Sequence, residues 1–308
     1  VRNHFFFSHH EDLEHMVQTG LRSFKNTGIL VITGESGVGK SDLAAKVHKQ
    51  TTRNGSYLSQ DASGFATARF ESQLYGHARG AFSSAVNAHA GFLDVVGKGT
   101  LCIENLEDLD ISNQARMLRF LESGYYRPVG ANLEKHFPGR LIFTSRIAAR
   151  KLMESGAIRS DFYYRIAHFE IKLPPIYERP LDFEPIFAMM VSRIRKEVDV
   201  HLRIPAEIEM ELLKDKSIEG NYHGLKNMLQ QSMIQGEPLP NVIPFELREE
   251  YDRRLPNTGS LRKDLFILEG RLLTRAINDY PRSRKGLAKA LGISLRSLMY
   301  KLKEHNLS

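Results

Sequence analysis

The 308-residue sequence contains a single cysteine, Cys102. No disulfide framework can form within the chain, and a reducing cytoplasm is the compartment that fits. Cys102 lies in the apolar run Gly99-Thr100-Leu101-Cys102-Ile103, where a buried strand residue is expected rather than a reactive thiol. No stretch approaches the ~18 consecutive apolar residues of a membrane-spanning helix, so no membrane partner is expected. The opening residues Val1-Arg2-Asn3 provide neither a starting methionine nor a signal peptide, and a native N-terminus further upstream is the expectation. No internal repeat is visible.

What is present is ordinary in bulk. Hydrophobic residues make up 42% and charged residues 26% of the chain, as in soluble globular proteins. The length suits about two domains at ~150 residues each. The formal net charge is +7 and the isoelectric point about 9.4. Positive charge attracts phosphate at long range, so polyanions are favoured partners, nucleic acid first.

Hydrophobic patterning organises the chain. Ile29-Leu-Val-Ile-Thr33 predicts a short buried strand, followed by a glycine-rich turn and a helix from Ser41 to about Gln50. Leu101–Ile103 and Leu141–Thr144 predict two further strands. Strands alternating with helices indicate an α/β domain with a parallel sheet, over residues 1–175. From about Ile176 only helices are predicted, at Phe187–Val198, Pro205–Lys214 and Leu225–Gln235, as a helical lid over 176–235. Residues 236–260 carry Gly236, Pro238, Pro240, Pro244, Pro256 and Gly259, a density that marks a linker. Residues 261–308 are helical again and strongly basic.

The turn after the first strand reads Gly34-Glu35-Ser36-Gly37-Val38-Gly39-Lys40-Ser41, fitting G-x-x-x-x-G-K-[ST]. Glycines let the backbone curl so that successive N–H groups converge on a phosphate. The following helix presents its positive end to the same anion. Lys40 is then placed to reach the β/γ-phosphates and the Ser41 hydroxyl to ligate Mg²⁺. ATP with Mg²⁺ is the expected ligand of this loop. Hydrolysis needs more, a carboxylate set at the end of another strand.

At the other end, Leu268–Ile277 has helical apolar spacing, and Lys285–Ser294 gives a helix, a turn at Gly292 and a new N-cap at Ser294. The last helix, Leu295–Glu304, sets Leu298 and Leu302 on one face and Arg296, Ser297, Tyr300, Lys301 and Lys303 on the other. A helix with an apolar back and a basic front suits the major groove of double-stranded DNA, its N-terminal residues at base edges and its basic groups on phosphates.

Between these ends, the run Phe70-Glu-Ser-Gln-Leu-Tyr-Gly-His-Ala-Arg-Gly-Ala-Phe-Ser-Ser-Ala85 resembles the segment of sigma-54-dependent activators that carries their GAFTGA loop. More of that family's pattern follows in order: Gly99-Thr100-Leu101, the helix Gln114–Leu121, Val129-Gly130, Arg159-Ser-Asp-Phe-Tyr-Tyr-Arg165 and Leu173-Pro174-Pro175. The resemblance runs from about residue 8 to 235 and resumes in the C-terminal helices, which are similar to the Fis-type helix-turn-helix of that family. It implies an AAA+ phosphate-loop domain with a parallel sheet and helical lid, followed by an all-α helix-turn-helix, acting as a homo-oligomer, dimer or higher, on DNA and RNA polymerase holoenzyme.

The departures are specific. The GAFTGA loop reads Gly80-Ala81-Phe82-Ser83-Ser84-Ala85, with serines for its Thr and Gly. In the family that loop touches the sigma-54 factor. The Asp-Glu pair that holds Mg²⁺ and orients the attacking water matches Glu104 and Asn105, and Asn105 has no carboxylate. The lid motif G-N-V-R-E-L reads Gly220-Asn221-Tyr222-His223-Gly224-Leu225, so its sensing arginine is His223. Ser145-Arg146 stands where Thr-Asn is usual. Arg159 and Arg165 match the paired finger arginines. They are open to two readings, an inter-subunit role or a salt-bridged surface pair. Hydrolysis rests on positioning and charge, so these losses point away from an efficient ATPase.

Altered loops and Walker B residues resemble the VpsR-type biofilm regulators, which respond to cyclic di-GMP and work without sigma-54. Two arginines match positions that hold the dinucleotide in one sensing type of relative, Arg2 before the first helix and Arg193 on the first lid helix, although Met189 stands where that pattern has a glutamate. Guanidinium groups suit phosphate and guanine, but two such arginines are equally read as ordinary surface residues. The leading expectation is a cytoplasmic DNA-binding regulator gated by cyclic di-GMP, recruiting RNA polymerase with the housekeeping sigma factor. The alternative is an ATP-hydrolysing hexameric activator of sigma-54.

Overall fold

The computed structural model describes residues 11–51, 55–197, 218, 220–235, 270, 273–274, 277, 284–291, 293–305 and 307. The chain divides into two compact units, 1–237 and 238–308.

The first unit opens with helix α1 (Glu11–Thr27), strand β1 (Ile29–Thr33), helix α2 (Lys40–Thr51) and strand β2 (Tyr57–Asp61). Next come α3 (Phe70–Tyr75), β3 (Gly76–His77), β4 (His89–Ala90), α4 (Phe92–Val96) and β5 (Thr100–Glu104). They are followed by α5 (Ile111–Ser123), the pair β6 (Tyr125–Tyr126) and β7 (Lys135–His136), β8 (Arg140–Ser145), α6 (Ala149–Glu154), α7 (Ser160–Ile166) and β9 (Glu170–Lys172). The lid helices among the described residues are α8 (Pro180–Glu197) and α9 (Asn221–Gln235). The predicted helix at Pro205–Lys214 and the predicted linker at 236–260 lie outside the described residues.

Five strands form one sheet in the order β2-β5-β8-β1-β9, and each neighbouring pair is parallel. Strand alternation explains why the predicted strands are nearly all apolar. Leu30 and Ile32 enter one core with Cys102, Ile142 and residues of α1 and α2. Val31 faces the other with Leu101, Ile103, Leu141 and Phe143, against the helices that follow β2. A sheet covered on both faces needs apolar residues at every position. Each side chain so buried contributes about 1.5–3 kcal/mol. α1 covers one face through Leu13, Val17, Leu21 and Phe24, all buried at helical spacing.

Two of the five strands lack the apolar run that marks the other three. β2 is only half-buried, and β9 has a single buried residue, Ile171. Both stand at sheet edges, where an apolar run is not required. The first lid helix also begins well before the predicted Phe187. Pro185 lies inside it, while Phe183, Ile186, Phe187, Met190 and Ile194 are buried and carry the helix past the proline. The GAFTGA-like residues lie between β3 and β4, which pair antiparallel through Gly76–Ala90 and His77–His89.

The second unit contains helices α10 (Arg284–Ala290) and α11 (Leu295–Glu304). Gly270, Leu273, Thr274 and Ile277, within the predicted helix 268–277, are also helical. Leu273, Leu287, Ala288, Leu298 and Leu302 form the core of this unit.

Candidate functional site

The phosphate loop starts where β1 ends. Gly34 N donates to Ser145 O at 3.1 Å, tying the loop to the end of β8. Gly34, Gly37 and Gly39 have φ of 149°, 75° and 99°, the region that favours glycine. Space is tight as well as conformation. A Cβ at Gly34 would lie 2.5 Å from Leu173 O, and one at Gly37 2.2 Å from Gly220 O. The loop curls into α2, where Leu43 N donates to Gly39 O at 2.9 Å. Lys40 Nζ donates to Gly34 O at 2.7 Å and Glu35 O at 2.8 Å. Burial pulls the Lys40 pKa below its ordinary value, against the nearby charge of Glu107 and Glu104. Ser41 is exposed at the first turn, and Val38 is buried beneath the loop.

Beside the loop stands the end of β5. Ser59 Oγ donates to Glu104 Oε1 at 2.5 Å. Asn105 is left-handed, with φ 57° and ψ 58°, a conformation asparagine tolerates better than most residues. Its Nδ2 donates to Asp61 Oδ2 at 2.6 Å. Asp61 also accepts from Ser63 N at 2.8 Å. The Ser63 hydroxyl leads the contacts that hold the Asp61 carboxyl below its usual range, against the effect of burial. Position 105 thus lacks a carboxylate but is hydrogen-bonded to one. Asp61 was not singled out in the sequence because β2 was not predicted.

The lid is fastened to the loop. Asn221 Nδ2 donates to Ser36 O at 3.0 Å and Glu35 Oε2 at 3.1 Å, while its Oδ1 accepts from Ile176 N at 2.9 Å. Tyr222 N donates to Gly37 O at 3.0 Å. Arg179, fully buried, donates from Nη2 to Val38 O at 3.1 Å. It lies 3.8 Å from the buried Asp182 carboxylate and 5.4 Å from the Tyr222 ring centroid. Arg179 and Asp182 carry no motif, so nothing in the sequence separated them from other surface-type residues. His223 is exposed, and a Cβ on Gly37 would lie 3.0 Å from its Cδ2.

Arg159 is the N-cap of α7 and Arg165 lies in its last turn, while Phe162 and Ile166 anchor the helix in the core. Both arginines form surface ion pairs, Arg159 with Asp161 at 2.7 Å and Arg165 with Glu122 at 3.1 Å. Arg193 is half-buried on α8. Arg2, the other proposed dinucleotide arginine, lies outside the described residues.

In the second unit Ser294 caps α11, its Oγ accepting from Ser297 N at 3.0 Å. Leu298 and Leu302 are buried against Leu287 and Ala288. Arg296, Ser297, Tyr300 and Lys303 are exposed and Lys301 is half-buried. Tyr300 is 69% exposed, a large aromatic on an outward face beside basic groups.

A parallel sheet with its glycine loop after β1, an acidic strand end on β5 and a helical lid over the loop defines an AAA+ phosphate-loop domain. The chain matches the sigma-54 interaction domain over residues 6–172 and belongs to that family. It is 30% identical over 285 residues to the HTH-type transcriptional regulatory protein TyrR of Enterobacter agglomerans, covering 90% of this chain and 54% of that protein. It is 25% identical over 289 residues to the regulatory protein AtoC of Escherichia coli K12, covering 90% of this chain and 62% of that one. The chain thus spans about half the length of TyrR. Among solved structures, NtrX from Brucella abortus in complex with ATP superposes with a TM-score of 0.67 at 22% identity, over 99% of this chain and 70% of that one. That likeness establishes the fold.

Proposed function

We propose that the protein is a DNA-binding transcription regulator whose AAA+ domain binds a nucleotide as a signal and hydrolyses it slowly. The observation that carries the slow hydrolysis is the Asn105–Asp61 hydrogen bond at 2.6 Å. An amide occupies the place from which a carboxylate would orient water, and the adjoining carboxylate is engaged with it. The loop itself suits a nucleotide, because Gly34 and Gly37 leave room only for backbone and Lys40 stands at the head of α2. Ser41 and Glu104 are the residues that would hold Mg²⁺.

DNA recognition is assigned to α11, with Arg296 and Tyr300 toward base edges and Lys301 and Lys303 toward phosphates. The relative named as an HTH-type transcriptional regulatory protein supports this reading. Binding two half-sites calls for a homo-oligomer, dimer or higher. Ser83 and Ser84 change the chemistry of the loop between β3 and β4, which favours work with the housekeeping sigma factor over sigma-54. Cyclic di-GMP is the proposed second signal, with Arg193 as one guanidinium contact and Arg2 as the other, and biofilm-type genes as the regulated class. Its support is the resemblance of the altered loop and strand end to regulators of that type.

Calorimetric titration of the protein with Mg-ATP and with cyclic di-GMP tests both signals. Binding of each is the expected result, with operator DNA tightening the dinucleotide by ~1–3 kcal/mol. Absence of dinucleotide binding at high micromolar concentration removes that signal and leaves an ATP-responsive regulator. Reconstituted transcription tests the polymerase partner, and activation restricted to sigma-54 holoenzyme overturns that assignment.

A further inference from the structure

Helix α11 carries apolar side chains that the core of its own unit does not use. Leu295 is 39% exposed and Met299 48%. The core there is made by Leu273, Leu287, Ala288, Leu298 and Leu302, with Ile277, Leu291, Ile293 and Leu307 packed against it. Leu295 and Met299 are not among them. Four residues apart, they are neighbours on the helix surface. Helical spacing sets them between the buried pair Leu298 and Leu302 and the outward row of Arg296, Tyr300 and Lys303. Arg296 stands three residues before Met299 and Lys303 four after it, so the apolar pair adjoins the cations assigned to DNA.

The hydroxyls at this end of the helix are already engaged. Ser294 Oγ accepts from Ser297 N at 3.0 Å and lies 2.9 Å from Ser297 Oγ. Arg296 and Tyr300 are left to read by hydrogen bond, and Leu295 is the first residue of α11, at the end that a recognition helix sets against base edges. Donors and acceptors line the major groove, and the thymine C5-methyl is its apolar group. A leucine or methionine pressed on a donor or acceptor leaves that group without a partner, whereas on a methyl it does not. A second copy of the chain suits the pair less well. A symmetric contact sets the same patch against itself, which would bring the Arg296 and Lys303 cations of both copies together.

We infer that Leu295 and Met299 read thymine methyl groups, and that they make the chain select thymine at neighbouring positions of each half-site. The helix advances about 6 Å from one residue to the other, roughly two base-pair steps of duplex. Lys301 and Lys303 then supply affinity without regard to sequence, while the methyl contacts supply choice of base. The inference rests on the reading of α11 as the DNA-contacting helix and adds to it the chemistry of the bases read.

The test uses the full chain and a DNA duplex enriched by it from a random pool, in which each thymine in turn is replaced by deoxyuridine, which lacks only the methyl. One buried methyl is worth about fourfold in affinity. The unchanged protein should bind about fourfold more weakly when either of the neighbouring thymines of a half-site is exchanged. Leu295→Ala should abolish that effect at one of them and Met299→Ala at the other, with the deoxyuridine duplex bound within about twofold of the unchanged protein. Arg296→Ala should weaken both duplexes and keep their ratio. An unaltered salt slope reports that the variants are folded and still seated on phosphates. Methyl sensitivity at no thymine, or undiminished sensitivity in both Leu295→Ala and Met299→Ala, overturns the inference while leaving α11 on the DNA. Oligomers lost in sedimentation of these variants, with methyl sensitivity retained, overturn it in favour of a contact between copies. Failure of the unchanged protein to enrich any sequence overturns the assignment of α11, and the methyl contacts with it.

Discussion

Replacing Arg179 by alanine tests how the lid is held against the phosphate loop. Its guanidinium is fully buried, donates to Val38 O at 3.1 Å and lies 3.8 Å from the carboxylate of Asp182, which is 1% exposed. Truncation removes the cation and leaves that carboxylate in a low-dielectric interior. Breaking a buried ion pair in this way costs about 3–5 kcal/mol, more than the loss of one neutral hydrogen bond. For a folding unit of roughly 150–250 residues, each kcal/mol lowers Tm by about 2–4 °C, so the first unit should melt about 6–20 °C lower. The chain has no tryptophan, so differential scanning calorimetry is the assay rather than intrinsic tryptophan emission. The double variant Arg179→Met with Asp182→Leu removes both charges at similar volume and should recover most of the loss. A single-variant shift below about 3 °C, or a double variant no better than the single, would refute the argument that loss of the buried Arg179 cation beside Asp182 decides the outcome.

Steady-state hydrolysis of Mg-ATP should fall far below the ~1–10³ s⁻¹ typical of enzymes, and turnover within that range sinks the proposal. Asn105→Glu alone sets a second carboxylate against Asp61, whereas Asn105→Glu with Asp61→Asn keeps a donor–acceptor pair, so only the double exchange should raise turnover. In operator binding, Arg296→Ala should relax or weaken specific recognition. Lys303→Ala should lower affinity across sequences and reduce the salt slope by ~0.9. Full operator affinity in residues 1–260 alone would remove α11 from the interface. The Glu107 carboxyl is raised by burial, but hydrogen bonds from Arg146, Ser145 and the backbone outweigh this and hold it below its ordinary 4.5. A depressed carboxylate stabilises the fold above its unfolded pKa and loses that contribution as pH falls through the folded value. The Tm gap between the unchanged protein and Glu107→Gln should therefore be full near neutral pH and narrow below about pH 4.5. A constant gap across that range contradicts the assignment.

The sequence by itself determined whatever has a local cause. The buried strands β1, β5 and β8 announce themselves because a strand covered on both faces must be apolar throughout. The phosphate loop is legible because Gly34, Gly37 and Gly39 meet a backbone requirement that other residues meet poorly. The last helix is legible because Ser294, Leu298 and Leu302 repeat a cap and a helical period. The absence of a carboxylate at position 105 and of an arginine at position 223 is legible in the same way. Only the tertiary structure decided what stands in their place. Asp61 sits on an edge strand without an apolar signature, and it meets Asn105 because β2 pairs with β5. Arg179 reaches Val38 across 141 positions of chain. Arg146 comes to the loop because β8 is the neighbour of β1 and Glu107 turns back to hold it. Such pairings follow from strand order and lid placement, which depend on how whole faces pack, and a charged residue met alone in a sequence carries no mark of the partner that packing will bring to it.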